Sequence, residues 1–215
     1  MGKVIAIDGP SGAGKSTIAR TLAERLGFRY LDTGALYRAV ALCFFKRGIT
    51  PDDGDGALIK ALKTSRVRFN KGKVFLGDQD VSDEIRTPEV GHYSSVFSAR
   101  KVVRDFLLEV QRQSAADQDV VVEGRDTTTV VFPDAWRKFY MDASTAERTK
   151  RRYKQLKEMG LTVTEKDAEH DVVERDTRDQ TRGIAPLMKA EDAIIIDTTD
   201  KNAEEVLEDI LEFLQ

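Results

Sequence analysis

Short apolar runs separated by helical patterns organise most of this chain. Five of the runs are candidate strands, and they occupy residues 4–8, 28–31, 120–122, 138–141 and 194–197. Continuous apolar runs of this kind are typical of strands buried on both faces of a sheet. Because helical patterns lie between them, the sequence predicts an α/β fold in which a parallel sheet carries helices on both faces.

Two helices can be placed from their periodicity. Ile18, Leu22 and Leu26 recur every fourth residue after the first run, and Gly27 stands where a helix often ends. The final helix follows the last run, with Asn202 and Glu205 as a capping box. Its apolar stripe consists of Val206, Leu207, Ile210, Leu211 and Leu214.

One region interrupts the alternation of runs and helices. Residues 66–69, residues 73–76 and the residues around Val81 form short alternating segments, with turn sequences at 70–72 and 77–78. This pattern predicts a small antiparallel meander inserted into the α/β domain. An acidic, glycine-rich loop at residues 51–56 leads into it.

The residues Gly9 to Ser16 match the phosphate-loop pattern G-x-x-x-x-G-K-[ST] without a mismatch, between a candidate strand and a candidate helix. Glycines let the backbone curl around an anion, and the following helix N-terminus directs partial positive charge at phosphate. We expect Lys15 to reach the β- and γ-phosphates and the Ser16 hydroxyl to ligate Mg²⁺. The alternative is a glycine-rich turn that matches by chance.

Composition narrows the classes of function. A net charge of −3 and a pI near 5.6 give no global field that would attract nucleic acid or an anionic membrane. No apolar run has transmembrane length and no removable signal is expected before the first strand. The single cysteine, Cys43, is expected in the core and fits a reducing cytoplasm. The only histidines are His92 and His170, and each is expected to be a surface or structural residue, so a zinc site is not expected.

Several arginines are placed where ligands bind. Arg38 follows the second candidate strand and Arg125 the third, and loops at the carboxyl ends of parallel strands form binding sites. Further on, Ser144 and Glu147 resemble a capping box, and the arginines after them share helix faces. On one helix these are Arg148, Arg151 and Arg152; on the next they are Arg175, Arg178 and Arg182, with Asp179. Surface helices held by ion pairs would show the same pattern, but a phosphate loop upstream favours a lid lined by arginines.

Together these motifs resemble the bacterial-type cytidylate (CMP/dCMP) kinases of the P-loop nucleoside-monophosphate kinase superfamily. The resemblance rests on IDGPSGAGKST (7–17), LDTGALYR (31–38), VSDEIRTPEV (81–90), VVEGRDTTTVVFPDA (121–135), YMDAS (140–144), ERDTRDQTR (174–182) and IAPL (184–187). It implies one kinase domain over residues 1–215 with a five-stranded parallel sheet, a monophosphate-binding insert at about 60–100 and a short helical lid at about 148–182.

The resemblance also implies the residues of the site. For ATP they are Gly9, Pro10, Ser11, Gly12, Ala13, Gly14, Lys15, Ser16, Thr17, Arg148, Arg151 and Arg152, with Mg²⁺ at Ser16. For the acceptor phosphate they are Thr33, Arg38, Arg125 and Arg182; for cytosine Ser95, Arg104 and Asp126; for the sugar Arg175 and Asp179; and Tyr37 lies among them. Lys15, Arg125, Arg178 and Arg182 are the expected catalytic residues.

Three positions depart from the family pattern, with Ser16, Thr33 and Glu123 in place of a common glycine, serine and aspartate. Ser16 should preserve Mg²⁺ ligation, Thr33 retains a hydroxyl, and the role of Glu123 stays open. The resemblance also implies a monomer whose partners are ATP, CMP and dCMP. The choice between CMP and dCMP, the tolerance of UMP and the extent of lid closure are not readable from the sequence.

Two other functions compete with this one. The first is a kinase of the same fold that acts on another nucleoside monophosphate or on an alcohol. The second is a GTPase-like switch or ATP-binding regulator, which would need an N-K-x-D motif. Residues 70–73 lack its aspartate, and the D-x-x-G match at 53–56 follows no apolar strand.

Overall fold

The computed structural model describes residues 2–214, and a parallel sheet lies at its centre. The strands in chain order are β1 (Val4–Asp8), β2 (Arg29–Asp32), β3 (Val67–Asn70), β4 (Lys73–Leu76), β5 (Gln79–Asp80), β6 (Val120–Glu123), β7 (Arg137–Asp142) and β8 (Ile194–Asp197). Five of them form the sheet in the order β2-β6-β1-β7-β8, with every pair parallel. The fold class expected from the sequence is therefore confirmed, and each strand begins and ends within a residue of its expected bounds.

Eight α-helices surround the two sheets in the described part of the chain. They are α1 (Lys15–Leu26), α2 (Thr33–Lys46), α3 (Asp55–Leu62), α4 (Pro88–Phe97), α5 (Lys101–Ser114), α6 (Thr145–Glu158), α7 (Glu165–Thr181) and α8 (Ala203–Glu212). A 3₁₀ turn at Glu84–Arg86 and a π-turn at Thr127–Val131 complete the order. None of the helices described is long and apolar enough to cross a membrane.

The two faces of the parallel sheet carry separate cores. Ile5, Ile7 and Val121 point to one face, where they pack against α1 and α8. Ala6 and Val122 point to the other face, where α2, α3 and α5 cover them. Successive residues of a strand alternate between faces, so every position of a strand that is covered on both sides is buried. This explains why β1 and β6 read as unbroken buried runs.

The insert forms a three-stranded antiparallel sheet in the order β3-β4-β5. The turn between β3 and β4 uses positive φ at Lys71 (49°) and Gly72 (76°), which suits a tight hairpin. The third strand is shorter and earlier than expected, because it ends at Asp80 rather than continuing around Val81. Beyond it the Val81 amide still donates to the Val74 carbonyl at 2.9 Å, but the Val74 amide donates to the Ser82 hydroxyl, so only half of the next backbone pair forms.

Helix ends follow the local sequence, with two corrections. Gly27 ends α1 at φ 69°, and Asn202 and Glu205 form the expected capping box of α8. The capping box expected at Ser144 is only half formed, because the Ser144 amide donates to Thr199 Oγ1 and not to Glu147. The loop expected at 51–56 is shorter than its sequence suggests, since α3 already begins at Asp55.

A buried carboxylate joins the ends of two central strands. Asp8, the last residue of β1, is fully buried and accepts hydrogen bonds from the amides and hydroxyls of Thr127 and Thr128, at 2.6–3.0 Å. Both threonines lie in the π-turn that follows β6. Burial raises the pKa of Asp8, and the four hydrogen bonds oppose that rise. Asp8 therefore fixes the loop after β6 against the start of the phosphate loop.

We expect Asp8→Asn to lower the free energy of unfolding by about 2 kcal/mol. The side-chain nitrogen of asparagine is a donor, and it would replace a carboxylate oxygen that now accepts from a threonine amide and hydroxyl. Urea unfolding at pH 7, followed by circular dichroism, measures the loss. Asp78→Asn is the matched control, since the Asp78 side chain is 99% exposed, and it should unfold at the parent's urea concentration. Equal stability of the two variants would contradict a structural role for the Asp8 hydrogen bonds.

Candidate active site

A cavity of about 510 Å³ opens at the carboxyl ends of β1, β2 and β6. Most of the site residues expected from the sequence line it: Ser11, Gly12, Gly14, Lys15, Ser16, Thr17, Thr33, Tyr37, Arg38, Ser95, Arg104, Arg125, Asp126, Arg151, Arg152, Arg175, Asp179 and Arg182. The fold brings them together because parallel strands end at one edge of the sheet. Five expected residues stand outside the lining: Gly9, Pro10, Ala13, Arg148 and Arg178.

The phosphate loop is held in shape by close backbone contacts. A Cβ atom on Gly9 would lie 1.9 Å from the Met141 carbonyl oxygen, and the φ of Gly9 is 147°. Gly12 and Gly14 also have positive φ, at 80° and 90°. No side chain caps the N-terminus of α1, so its first amides point toward the cavity without a side-chain acceptor.

Lys15 lies at the floor of this loop and is 5% exposed. Its Nζ donates to the Pro10 carbonyl at 2.6 Å, so Pro10 and Gly9 support the loop from behind. Burial, together with repulsion from Arg125, lowers the pKa of Lys15 to about 7. A buried amine of this kind gains a proton when an anion comes into contact with it.

Arg148 has a different place from the one expected. It is 7% exposed, and its Nε and Nη1 donate to the carbonyls of Ala143 and Ser11 at 3.0 Å each. Nη1 also donates to Asp176, whose other oxygen accepts the Ser11 amide at 3.0 Å. Arg148 therefore supports the phosphate loop from α6 instead of lining the cavity, because its Nε and Nη1 donate to acceptors of the protein.

Arg178 also stands back from the cavity, on α7. Its Nη2 pairs with Glu174 at 2.8 Å, one turn earlier on the same helix. Its Nε and Nη1 are buried and have no hydrogen-bond acceptor among the described residues. The helix ends at Thr181, so Arg182 lies just beyond it and not on a continuous face with Arg178.

A chain of arginines and carboxylates crosses the cavity. Arg125 Nε donates to Asp179 at 2.9 Å, and Arg182 lies 3.4 Å from the other oxygen of Asp179. Arg182 also approaches Asp126 at 3.6 Å, and Arg104 pairs with Asp126 directly. Each carboxylate thus holds two arginines, which fixes the guanidinium planes before any ligand arrives.

The cations are only partly neutralised. Burial lowers the pKa of Arg38, and burial lowers that of Arg175 to about 10. Arg38 Nη1 and Arg182 Nη2 are buried and lack a hydrogen-bond acceptor among the described residues. Buried guanidinium nitrogens without an acceptor are costly, so an anionic ligand that supplies acceptors would stabilise this arrangement.

The smaller polar residues of the site are also placed by the fold. The Thr33 hydroxyl donates to the Glu123 carbonyl at 2.7 Å, at the start of α2. Ser95 lines the cavity from α4, on the side of the insert. Tyr37 lies under the Arg104 guanidinium at 5.5 Å from the ring centre, and burial raises its pKa to about 12.

Two acidic residues of the site were not assigned a role from the sequence. Asp32 and Glu123 are the last residues of β2 and β6, and they face each other in the strand register. Burial and the Asp32 charge raise the pKa of Glu123, whereas Lys15, Tyr30 and Ser16 lower it. Arg86, from the 3₁₀ turn, lies 3.5 Å from Asp32. An acidic residue at the end of each of two strands was the signal that could have found the pair.

Comparison with known proteins identifies the same family as the sequence motifs. A family model described as cytidylate kinase matches residues 5–215. A cytidylate kinase from Thermodesulfovibrio yellowstonii is 50% identical over 98% of this chain and 97% of its own. One from Geobacter sulfurreducens is 48% identical over 96% of this chain and 90% of its own.

A solved structure shows how far the fold extends beyond close relatives. Shikimate kinase from Bacteroides thetaiotaomicron aligns with a TM-score of 0.51 and 11% identity, over 99% of this chain and 98% of its own. This likeness concerns the fold alone. The family model and the close relatives confirm the resemblance in the motifs, and the chain belongs to the cytidylate kinase family.

Proposed function

We propose that this chain transfers the γ-phosphoryl group of ATP to CMP and dCMP, which gives ADP with CDP or dCDP. The observation that carries the proposal is the lining of one cavity, which brings Lys15 and the phosphate loop together with Ser95, Arg104 and Asp126. Arg38 and Arg182 line the same cavity and have buried nitrogens without an acceptor among the described residues. A phosphate donor and a base-bearing acceptor can therefore meet over a cluster of positive charge.

The acceptor phosphate is assigned to Thr33, Arg38, Arg125 and Arg182. Two of these arginines, Arg38 and Arg182, have buried nitrogens with no acceptor among the described residues. Guanidinium forks bind a phosphate dianion through paired hydrogen bonds, which fixes the direction of the attacking oxygen. No general base is needed, because that oxygen is already nucleophilic.

The cytosine is assigned to Ser95, Arg104 and Asp126. Asp126 or Ser95 accepts a hydrogen bond from the exocyclic amine, as acidic groups do for cytosine elsewhere. Arg104 donates to N3 and O2 of the ring. Uracil presents an N3–H and a carbonyl instead, so it would leave buried groups unpaired and bind more weakly. The sugar is assigned to Arg175 and Asp179, and Tyr37 packs against Arg104.

The donor is assigned to the phosphate loop, Lys15, Thr17, Arg151 and Arg152. Mg²⁺ prefers hard oxygen ligands and is usually bound through a few protein oxygens together with phosphates. The Ser16 hydroxyl beside the Glu123 carboxylate supplies such oxygens. When bound, the ion would neutralise charge on the phosphates during transfer. Arg178 is the proposed lid arginine over the γ-phosphoryl, because two of its buried nitrogens still lack an acceptor among the described residues.

The parts of the domain follow from this assignment. We assign monophosphate binding to the insert at about 60–100 and closure to the lid at about 148–182, where α6 and α7 are tied by Arg152 and Asp171 at 2.6 Å. Closure would exclude water from the transferring group. A cytoplasmic monomer remains part of the proposal, and the buried thiol of Cys43 fits a reducing compartment.

The test of the proposed function is ADP formation from ATP and Mg²⁺ with one acceptor at a time. We expect rapid turnover with CMP and dCMP, and kcat/KM for UMP lower by about 100-fold or more. AMP, GMP and shikimate should be inactive. Shikimate is included because a shikimate kinase shares this fold, so its inactivity shows that the fold alone does not determine the acceptor. Turnover on a different acceptor would overturn the base-reading assignment, and hydrolysis without acceptor dependence would favour a nucleotide-binding regulator.

Arg125→Ala should lower kcat with CMP by about 100- to 1000-fold, because it removes positive charge from the transferring phosphoryl group. Steady-state kinetics with saturating ATP and CMP measure the change. Arg68→Ala is the control, since Arg68 is an exposed residue of the insert that pairs with exposed Asp78. If the two variants have the same kcat, Arg125 does not contact the reacting phosphate.

ATP binding should take up protons at alkaline pH. The folded pKa of Lys15 is near 7, below its ordinary value, so the amine is mostly neutral at pH 8 and phosphate contact restores its proton. We expect uptake of most of a proton at pH 8 and much less at pH 6. Calorimetry in two buffers with different ionisation enthalpies measures it. Lys15→Arg, which keeps its charge, should abolish the uptake, and persistence of the uptake in that variant would assign it to another group.

A further inference from the structure

A tyrosine outside the cavity contacts one of the residues that line it. Tyr30, on β2, donates from its hydroxyl to Glu123 Oε1 at 2.5 Å. In the strand register Tyr30 is opposite Val121 and Asp32 is opposite Glu123, so the phenol spans a diagonal between neighbouring strands. Tyr30 does not line the active-site cavity, whereas Glu123 does.

Glu123 needs a partner that holds it in place. Its side chain is buried beside Asp32, which repels it, and near Lys15, which attracts it. A glutamate has three rotatable side-chain bonds, so without an anchor it can swing toward the nearest cation. The described residues nevertheless show no ion pair between Glu123 and Lys15, and Lys15 bonds to the Pro10 carbonyl instead. The Tyr30 hydroxyl is the shortest polar contact of the Glu123 carboxylate.

The Tyr30 ring is itself fixed from the outside. It packs edge-on against Phe69 of the insert, with ring centres 6.1 Å apart, and Arg20 of α1 lies over it at 5.5 Å. Burial and the charges of Glu123 and Asp32 raise the pKa of Tyr30, so the phenol keeps its proton across the working pH range. Tyr30 is therefore a rigid hydrogen-bond donor, set in place by the insert and by α1.

We propose that Tyr30 is a positioning residue of the active site, which holds the Glu123 carboxylate beside Ser16 and away from Lys15. The proposal rests on the proposed function, since it concerns the end of the cavity assigned to ATP. Through this contact Lys15 stays free to receive phosphate. The residue acts through Glu123 and touches no substrate.

Tyr30→Phe removes the hydroxyl and leaves the packing of the ring. Glu123 should then move onto Lys15, so that the carboxylate competes with phosphate for the amine. The Kd for ATP should rise about tenfold, and kcat should fall about tenfold, with KM for CMP within twofold of the parent. Calorimetry without CMP gives the Kd for ATP, and steady-state kinetics gives kcat and KM.

Tyr93→Phe is the matched control. Tyr93 also packs edge-on against a phenylalanine, Phe45, with ring centres 5.5 Å apart, and its hydroxyl has no hydrogen bond to any described side chain or backbone group. Its Kd for ATP and its kcat should equal those of the parent. If Tyr30→Phe matches Tyr93→Phe in both quantities, the positioning role is overturned.

A double variant separates positioning from a general loss of packing. If Tyr30 acts through Glu123, adding Tyr30→Phe to Glu123→Gln should weaken ATP binding by less than twofold beyond Glu123→Gln alone. Independent tenfold losses in the two variants would instead indicate a structural role and overturn the proposal. The Kd for ATP is measured without CMP, so it decides the role of Tyr30 even if CMP proves not to be the acceptor.

Discussion

Confinement of like charges in one cavity is the constraint on which this structure depends. Lysine and arginine side chains converge there within a largely buried space, and burial lowers the pKa of several of them. Four carboxylates in the same cavity reduce the repulsion between these cations: Asp32, Glu123, Asp126 and Asp179. They do not neutralise the cations fully, and the remaining unpaired nitrogens define where an anion gains most by binding. The affinity for phosphate and the fold's internal repulsion are thus two aspects of one arrangement.

The sheet makes this confinement possible. Its central strands are covered on both faces by separate apolar cores, so they are rigid supports for the loops at their carboxyl ends. Asp8 then ties the loop after β6 to the end of β1 through two threonines. Arg125 and Asp126 lie immediately before those threonines, so one buried carboxylate sets the position of these two residues relative to the phosphate loop.

Local patterns carried most of the prediction from sequence, and long-range contacts limited it. The strands, the phosphate loop and the insert were predictable because periodicity and turn residues act over a few neighbours. Arg148 was assigned to the ligand because its spacing matches that of Arg151 and Arg152. Its actual partners, Ser11 and Asp176, are 137 and 28 residues away. The hydrogen bond from Tyr30 to Glu123 spans 93 residues and was beyond local patterns for the same reason.

The contact of Asp176 with the phosphate loop has a consequence for how this enzyme family can be re-engineered. The Asp176 carboxylate on α7 accepts a hydrogen bond from the Ser11 amide and pairs with Arg148 of α6, which donates to the Ser11 carbonyl, so both helices are bonded to the phosphate loop. Replacing α6 and α7 with helices that lack this carboxylate would leave the Ser11 amide without its acceptor. Helices α6 and α7 and the phosphate loop therefore form one exchangeable unit, which a chimera should take from a single parent.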